Sequence, residues 1–351
     1  MQLSIIAATL ATLAVSSPAA TRDYEVGGRV LRQADGSVRV GWPGVYFNAR
    51  FEGRSVGIRF DDDTNHYAIE VDGKPAGIVA RPDRTTHWVR DLPQGSHTIR
   101  VVKRTELAEG SGRFLGFVAG EGGKLLPPPA ASTRQIEFIG DSYTAGLGAE
   151  SGKRDCSDAE LVASSNADIT FGALTAKRFA ADYQLNGYSG LGLVRNYAGA
   201  LPTVDYRDYY DRAVPAIDTA WVDPAWKPQL VVVGLGINDF SVPPKDGEAF
   251  TRETLRTAYK AAYRDLIAQL RQRYGRPYVV VSATALWPEN TLREVAQEIV
   301  TEARAAGDLR VAYFYYDGLD NLGCQWHPSI RDHQAIADRL TALVDGLGIW
   351  K

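Results

Sequence analysis

Apolar and polar residues alternate through residues 24–118 with the two-residue period of half-buried β-strands. Val56, Ile58 and Phe60 alternate with Gly or Arg, and the same period recurs at 67–71. Turn-forming pairs punctuate these runs at Asp35-Gly36, Asp72-Gly73 and Gln94-Gly95. Short strands between frequent turns, with no helical period, predict an antiparallel β-sandwich.

The alternation ends at a stiff connector. Residues 114–118 predict the last strand of the sandwich, and they are followed by Gly122-Gly123 and Pro127-Pro128-Pro129. Because proline cannot donate a backbone hydrogen bond, this stretch predicts a domain boundary. We therefore assign residues 21–130 to the β-sandwich and residues 131–351 to a second domain.

The second domain has a different hydrophobic period. Apolar runs of strand length occur at 136–139, 230–235, 278–283 and 311–316. Helical patterns lie between and after them, at 292–306, at 336–347 and along the stripe Leu255, Tyr259, Ala262, Leu266 and Leu270. Buried strands alternating with helices predict a three-layer α/β domain, whose ligands bind beyond the carboxyl ends of the strands.

The first twenty residues are uncharged and carry an apolar run that ends in small residues. This pattern predicts a signal peptide over residues 1–20, although its start lacks the usual Lys or Arg, so an uncleaved anchor is the alternative. We expect a secreted or periplasmic protein with no stable membrane span in the mature chain.

Composition narrows the classes of function. A hydrophobic content of 45% and a charged content of 23% are typical of a globular protein. The net charge of −3 argues against nucleic-acid binding, which needs an excess of Lys and Arg. No cluster of His, Cys, Asp or Glu has the spacing of a metal site, so we expect no metal and no cofactor.

Candidate catalytic residues lie on loops that follow the predicted strands. Ser142 follows the first strand through Gly140-Asp141, and Asn238 follows another. His327 precedes a helix that Ser329 and Asp332 are expected to cap, which places His333 inside that helix. A serine and a histidine at one sheet edge indicate nucleophilic catalysis.

Two cysteines lie between these candidate residues in the sequence, one near each of them. Cys156 follows Ser142, and Cys324 precedes His327. If the serine and histidine meet, the cysteines are expected to meet as well, so an oxidising compartment predicts a disulfide. Two buried free thiols are the alternative.

Four motifs stand in the order of the SGNH hydrolase blocks: Gly140-Asp141-Ser142, Ser189-Gly190-Leu191-Gly192, Gly236-Ile237-Asn238-Asp239 and His327-Pro328. Within that superfamily, 188–197, 238–241 and 323–328 resemble carbohydrate esterase family 2. The resemblance implies a flavodoxin-like SGNH domain behind an N-terminal jelly roll. It also implies a carbohydrate esterase of the acetylxylan esterase type, which removes O-acetyl groups from plant polysaccharides such as xylan or glucomannan.

The resemblance also implies roles for individual residues. Ser142 is then the nucleophile and His327 the general base. The oxyanion hole is formed by the backbone N–H groups of Ser142 and Gly190 and by the side chain of Asn238. Trp326 is a candidate platform for a sugar ring, and the loop residue Trp287 is a weaker second candidate.

The departure from the family pattern is Gln325, where many relatives have Asp. Three outcomes stay open for the group that orients His327. A main-chain carbonyl or Gln325 holds the ring and gives a Ser-His dyad, or Asp317 or Asp320 replaces the missing carboxylate. In the third outcome catalysis is lost, and the chain is a non-catalytic carbohydrate-binding protein. An esterase that acts on lipid or peptidoglycan esters is a further alternative.

Overall fold

The computed structural model of the protein describes residues 23–106 and 111–350. The expected signal peptide at 1–20 lies outside the described residues. Within these ranges the chain forms a β-sandwich followed by an α/β structure.

The sandwich consists of antiparallel strands in two sheets. In chain order the strands are β1 (Tyr24–Gly27), β2 (Val30–Arg32), β3 (Val38–Val40), β4 (Tyr46–Gly53), β5 (Val56–Asp62), β6 (His66–Val71), β7 (Lys74–Ala80), β8 (Asp83–Val89), β9 (Gly95–Lys103), β10 (Gly112–Ala119) and β11 (Lys124–Leu126). One sheet has the order β1-β4-β9-β6-β7, with β11 paired to β4, and the other has the order β2-β3-β10-β5-β8.

The alternating apolar residues form the core between these sheets. Val56, Ile58 and Phe60 are all buried in β5. The rings of Phe47 in β4 and Phe114 in β10 stack at 3.7 Å and join the two sheets. The predicted sandwich is therefore confirmed.

One strand follows the predicted last strand of the sandwich. Gly122 and Gly123 form a turn that returns the chain as β11, whose Leu125 lies opposite Phe51 of β4. The prediction that 114–118 is the last strand of the sandwich was wrong, because three residues between glycines and prolines are too short to show a period.

The α/β part contains one parallel sheet, with helices on both faces. The strands of the whole α/β part are β12 (Gln135–Gly140), β13 (Asp182–Gly187), β14 (Arg212–Val214), β15 (Ile217–Ala220), β16 (Leu230–Val233), β17 (Tyr278–Thr284) and β18 (Val311–Tyr316). Its α-helices are α1 (Ser142–Ala145), α2 (Asp158–Ser164), α3 (Phe171–Arg178), α4 (Arg207–Tyr210), α5 (Ile237–Phe240), α6 (Arg252–Tyr274), α7 (Thr291–Ala305) and α8 (Ile330–Leu347). The parallel sheet has the order β13-β12-β16-β17-β18, and β14 and β15 form a separate hairpin.

The helices pack according to their apolar stripes. The predicted stripe of α6 is buried on one face of the sheet together with α7, whereas α3 and α8 pack on the other face. All four residues of β16 are buried, as expected for a central parallel strand. The three-layer α/β prediction is confirmed.

Polar contacts join the sandwich to the α/β part. Arg29 Nη2 lies 2.6 Å from Glu137 Oε1, and both side chains are fully buried. At the amino end of β13, the Tyr46 hydroxyl donates a hydrogen bond to Asp182 at 2.9 Å. The sandwich therefore packs directly against the strands that lead to the candidate site.

Candidate active site

Ser142 lies where β12 turns into α1. Asp141 caps this short helix by accepting a hydrogen bond from the Tyr143 N–H at 3.0 Å. Gly140 is required at the turn, because a Cβ there would lie 2.1 Å from Thr144 Oγ1. Ser142 itself is 8% exposed. The turn thus holds a nearly buried hydroxyl at the carboxyl edge of the sheet.

Gly190 and Asn238 follow the strands on either side of β12. Gly190 has φ +79°, a conformation that favours glycine. Asn238, in α5, donates one side-chain N–H to the Leu191 carbonyl at 2.9 Å. Within 23–106 and 111–350, neither the Ser142 N–H nor the Gly190 N–H donates to a protein acceptor.

His327 is held by a main-chain carbonyl. Its Nδ1 lies 2.8 Å from the Cys324 carbonyl oxygen. Gln325 and Trp326 both adopt left-handed conformations, with φ values of 53° and 65°. This bend brings residue 327 back over the Cys324 carbonyl, which also accepts a hydrogen bond from the His327 backbone N–H.

Burial determines the protonation of this imidazole. Desolvation lowers the pKa of His327 below its usual 6.5, and the hydrogen bond to the Cys324 carbonyl partly offsets the decrease. The neutral ring is therefore favoured at neutral pH. With the proton on Nδ1, the lone pair of Nε2 is free to accept a proton.

The loop of His327 is fastened to the loop that follows Ser142. Cys156 and Cys324 form a disulfide, as predicted. The Cys324 N–H donates to the Gly148 carbonyl at 3.1 Å, and the Gln325 N–H donates to the Arg154 carbonyl at 2.7 Å. These connections place the two candidate catalytic residues on one side of the sheet edge.

The candidate residues line one cavity of about 1150 Å³. Ser142, Gly190, Asn238, Trp326 and His327 all line it. Ser142 and His327 share it without a direct hydrogen bond between their side chains in the described structure. Such contacts are often long in unliganded enzymes and tighten when substrate binds.

The candidate carboxylate orienters lie elsewhere. Asp317 lies 3.5 Å from Arg339, and its side chain is 56% exposed. Asp320 accepts a hydrogen bond from the Leu322 N–H within its own turn. Gln325 is exposed and lines the cavity, but within the described residues its side chain makes no hydrogen bond to His327. Of the expected acceptors, a main-chain carbonyl, that of Cys324, is the one that lies against His327 Nδ1.

The two tryptophans differ in placement. Trp326 is 62% exposed at the cavity, and the Arg154 guanidinium lies 3.7 Å from its ring centre. Trp287 is 87% exposed and does not line this cavity, although its neighbour Leu286 does. The structure therefore brings Trp326 to the site and leaves Trp287 outside it.

Buried carboxyl groups behind the site were missed by sequence reasoning. Asp239 accepts hydrogen bonds from the N–H groups of Leu193, Val194 and Arg195, and burial raises its pKa to about 6. Burial also raises the pKa of Asp141 to about 7. The available signal was that Asp141 and Asp239 are next to Ser142 and Asn238 in the sequence. That signal does not reveal the hydrogen-bond partners, which lie on other loops.

Comparisons with known proteins agree with this architecture. Residues 26–129 match the family model described as carbohydrate esterase 2 N-terminal, and residues 138–340 match the GDSL-like lipase/acylhydrolase family. The chain is 39% identical to an acetylxylan esterase / glucomannan deacetylase of Cellvibrio japonicus over 334 residues, which cover 93% of this chain and 91% of the relative.

The chain belongs to carbohydrate esterase family 2. The expected family, and its activity as a carboxylic ester hydrolase, are therefore confirmed. This family 2 esterase is also 33% identical to the Cellulase/esterase CelE of Acetivibrio thermocellus, covering 88% of this chain and 38% of that relative.

Solved structures share the fold of this family 2 esterase over most of the chain. One is a carbohydrate esterase whose active site displays divergent catalytic and non-catalytic binding functions. It gives a TM-score of 0.87 at 37% identity and covers 94% of this chain and 100% of its own. A family two carbohydrate esterase from Clostridium thermocellum in complex with cellohexaose gives a TM-score of 0.82 at 31% identity, covering 93% and 99%.

No helix within 23–106 and 111–350 is long and apolar enough to cross a membrane. The same ranges contain no group of three or more His, Cys, Asp or Glu side chains that could hold a metal ion.

Proposed function

We propose that this family 2 esterase removes O-acetyl groups from plant polysaccharides such as xylan or glucomannan, through an acyl-enzyme on Ser142. The observation that carries the proposal is the shared cavity, in which Ser142 lies with a His327 whose Nδ1 is already bound by the Cys324 carbonyl. The Cellvibrio japonicus relative, an acetylxylan esterase / glucomannan deacetylase, supports the substrate class.

In the first step, Ser142 Oγ attacks the acetyl carbonyl carbon while His327 Nε2 takes the hydroxyl proton. The carbonyl electron pair moves to oxygen and forms an oxyanion. The Ser142 N–H, the Gly190 N–H and the second side-chain N–H of Asn238 stabilise this charge. The bond to the sugar oxygen then breaks, and His327 returns its proton to that oxygen.

In the second step, water clears the acetyl group. His327 Nε2 takes a proton from the water as its oxygen attacks the acyl carbon, and the same three donors hold the oxyanion. The bond to Ser142 Oγ breaks, Oγ regains the proton from His327, and acetic acid leaves and gives up its remaining proton to solvent to become acetate. Both steps conserve protons and need no metal or cofactor.

The orienting group in this proposal is the Cys324 carbonyl, so the site works as a Ser-His dyad. The carbonyl oxygen accepts a hydrogen bond from Nδ1–H and fixes the tautomer as a carboxylate does. It lacks the negative charge that stabilises an imidazolium in a triad. The missing Asp at 325 is therefore compatible with catalysis and does not favour a purely carbohydrate-binding protein.

The partner in this proposal is an acetylated polysaccharide or oligosaccharide, with the exposed ring of Trp326 as a sugar platform at the cavity. The cellohexaose complex of the Clostridium thermocellum relative supports a glycan ligand. The disulfide supports an oxidising compartment, so we place the protein outside the cytoplasm, secreted or periplasmic.

The test is acetate release from acetylated xylan and acetylated glucomannan by wild type, Ser142→Ala and Ser151→Ala. Ser151 lies on a nearby turn, where its hydroxyl donates a hydrogen bond to the Lys153 carbonyl. Ser151→Ala therefore controls for the loss of a serine hydroxyl. We expect Ser142→Ala to lose activity by at least about 10³-fold and Ser151→Ala to keep it. Equal release by wild type and Ser142→Ala would refute the proposal, and release only from lipid or peptidoglycan esters would refute the substrate class.

A further inference from the structure

A side chain from the sandwich makes two hydrogen bonds to the loop that carries Gly190. Glu106, just beyond β9, accepts a hydrogen bond from the Ser189 backbone N–H at 2.7 Å through Oε1. Its other oxygen, Oε2, accepts a short hydrogen bond from the Ser189 hydroxyl. One carboxylate from the sandwich therefore holds both polar hydrogens of the residue before Gly190.

A buried lysine close in the chain acts electrostatically on Glu106. Lys103, at the end of β9, is completely buried, and its Nζ donates to the Gly41 and Thr105 carbonyls at 2.9 and 2.5 Å. Burial raises the pKa of Glu106 above its usual value, and the two hydrogen bonds from Ser189 and the positive charge of Lys103 offset this only in part. Both oxygens of the Glu106 side chain are engaged by Ser189.

The two hydrogen bonds from Ser189 to Glu106 constrain the direction of the Gly190 N–H. The peptide that carries the Gly190 N–H begins at Ser189, whose N–H and hydroxyl are bound by Glu106. On the far side of Gly190, its carbonyl accepts a hydrogen bond from the Tyr197 N–H at 3.0 Å. With φ at +79°, glycine has no Cβ to restrict its backbone, so these external contacts set its conformation.

We propose that Glu106 is a positioning residue that aims the Gly190 N–H at the oxyanion and thereby makes the sandwich part of the catalytic apparatus. This inference rests on the proposed function, in which Gly190 is an oxyanion donor. Glu106 acts through Ser189 and does not touch the substrate. An oxyanion donor stabilises charge that develops in the transition state, so its misalignment lowers kcat more than it changes KM.

The test compares steady-state acetate release by full-length wild type, Glu106→Ala, Glu106→Gln and Ser142→Ala. We expect Glu106→Ala to lose about 10- to 100-fold in kcat with KM changed by less than about 3-fold. Glu106→Gln should stay within about 3-fold of wild-type kcat, because its amide oxygen can accept from the Ser189 N–H while its N–H group donates to the hydroxyl.

Tyr46→Phe is the matched control. It removes a hydrogen bond between the sandwich and Asp182, at the opposite end of the strand that leads to Ser189. A general loosening of the two domains would lower kcat in Tyr46→Phe as well, whereas the proposal expects this variant to stay within about 2-fold of wild type. Thermal unfolding of each variant separates loss of fold from loss of kcat.

A double-mutant cycle with Ser189→Ala tests the coupling without depending on one variant. Ser189→Ala keeps the backbone N–H and loses only the hydroxyl, so we expect a loss of about 3- to 10-fold in kcat. Glu106→Ala/Ser189→Ala should then be no slower than Glu106→Ala alone, because the hydroxyl contact that Ser189→Ala removes is already lost in Glu106→Ala.

Two results would overturn the proposal separately from the proposed function. If Ser142→Ala is inactive while Glu106→Ala keeps kcat within 2-fold of wild type, Glu106 does not position the oxyanion hole. Additive losses in the double variant would lead to the same conclusion. If Ser142→Ala is fully active, the proposed function itself fails, and the role of Glu106 fails with it.

Discussion

At the scale of single residues, backbone conformation decides what Gln325 does. The expectations for this position were that a main-chain carbonyl or Gln325 orients His327, that Asp317 or Asp320 replaces the missing carboxylate, or that catalysis is lost. The left-handed turn at residues 325 and 326 exposes the Gln325 side chain and directs the Cys324 carbonyl at His327 Nδ1. The change of side chain therefore leaves the imidazole with an acceptor.

We expect Gln325→Ala to keep kcat/KM within about 3-fold of wild type, because the acceptor of His327 belongs to the main chain. Acetate release from acetylated xylan measures this, with His327→Ala as the inactive reference. A loss above about 10-fold in Gln325→Ala, with the fold intact, would show that the amide side chain orients the ring.

The pH profile of activity follows from the buried His327. Its folded pKa lies below 6.5, and the proposed base works only when neutral, so we expect activity to be lost as pH falls through that lowered value. We expect the acidic limb of kcat/KM to have its midpoint below 6.5. A limb centred near 7 would contradict this assignment and would point to Asp141, whose pKa is raised to about 7.

At the scale of elements, the start of α8 organises the histidine loop. Ser329 and Asp332 form the predicted capping box. Asp332 also accepts hydrogen bonds from the backbone N–H groups of Asp320 and Asn321, both at 2.9 Å. The helix cap and the beginning of the loop toward His327 thus share one nearly buried carboxylate.

We expect Asp332→Ala to lower the free energy of unfolding by about 2–4 kcal/mol. The substitution leaves the backbone N–H groups of Asp320, Asn321 and Ser329 without their acceptor around a buried position. Ser329→Ala should cost about 1 kcal/mol as loss of a helix cap. Urea unfolding measures both, with the exposed Asp338→Ala on the same helix as control. Equal, small losses in Asp332→Ala and Asp338→Ala would contradict the shared role.

At the scale of the whole molecule, the sandwich and the α/β part meet through buried polar contacts. Arg29 Nη2 pairs with Glu137, and its Nε donates to Gln184 at 3.0 Å. Glu137 lies in β12, the strand that ends at the turn of Ser142. A buried ion pair is costly to break from one side, because the remaining charge loses its partner.

We therefore expect Arg29→Met to lower the free energy of unfolding by about 3–5 kcal/mol. Arg59→Met, at an exposed position of β5, should change it by less than about 0.5 kcal/mol. Urea unfolding of both variants tests this. If Arg29→Met matches Arg59→Met, the contact between the domains contributes little to stability.

The local pattern of the sequence was sufficient for most elements. Alternation at Val56, Ile58 and Phe60 predicted a buried strand face, and the apolar stripe from Leu255 to Leu270 predicted α6. These features follow from periods of two and 3.6 residues, which depend only on neighbours along the chain. The three-residue strand β11 is too short to show either period.

Family motifs together with strand ends predicted which residues would share the site. Ser142, Gly190, Asn238 and His327 do line one cavity, because parallel strands end at the same sheet edge. Trp287 shows the limit of this reasoning, since it also follows a strand but lies outside the cavity. The path of a loop beyond its strand depends on contacts that no local pattern describes.

By itself, the sequence determined the two kinds of domain and the order of the motifs, and it predicted the pairing of the cysteines with free thiols as the alternative. Tertiary structure alone decided that the Cys324 carbonyl holds His327 and that Glu106 reaches Ser189, which is 83 positions away in the chain. Periodicity reports which face of an element is buried. Hydrogen bonds between loops depend on backbone turns and on the packing of one domain against the other, which are set only when the whole chain has folded.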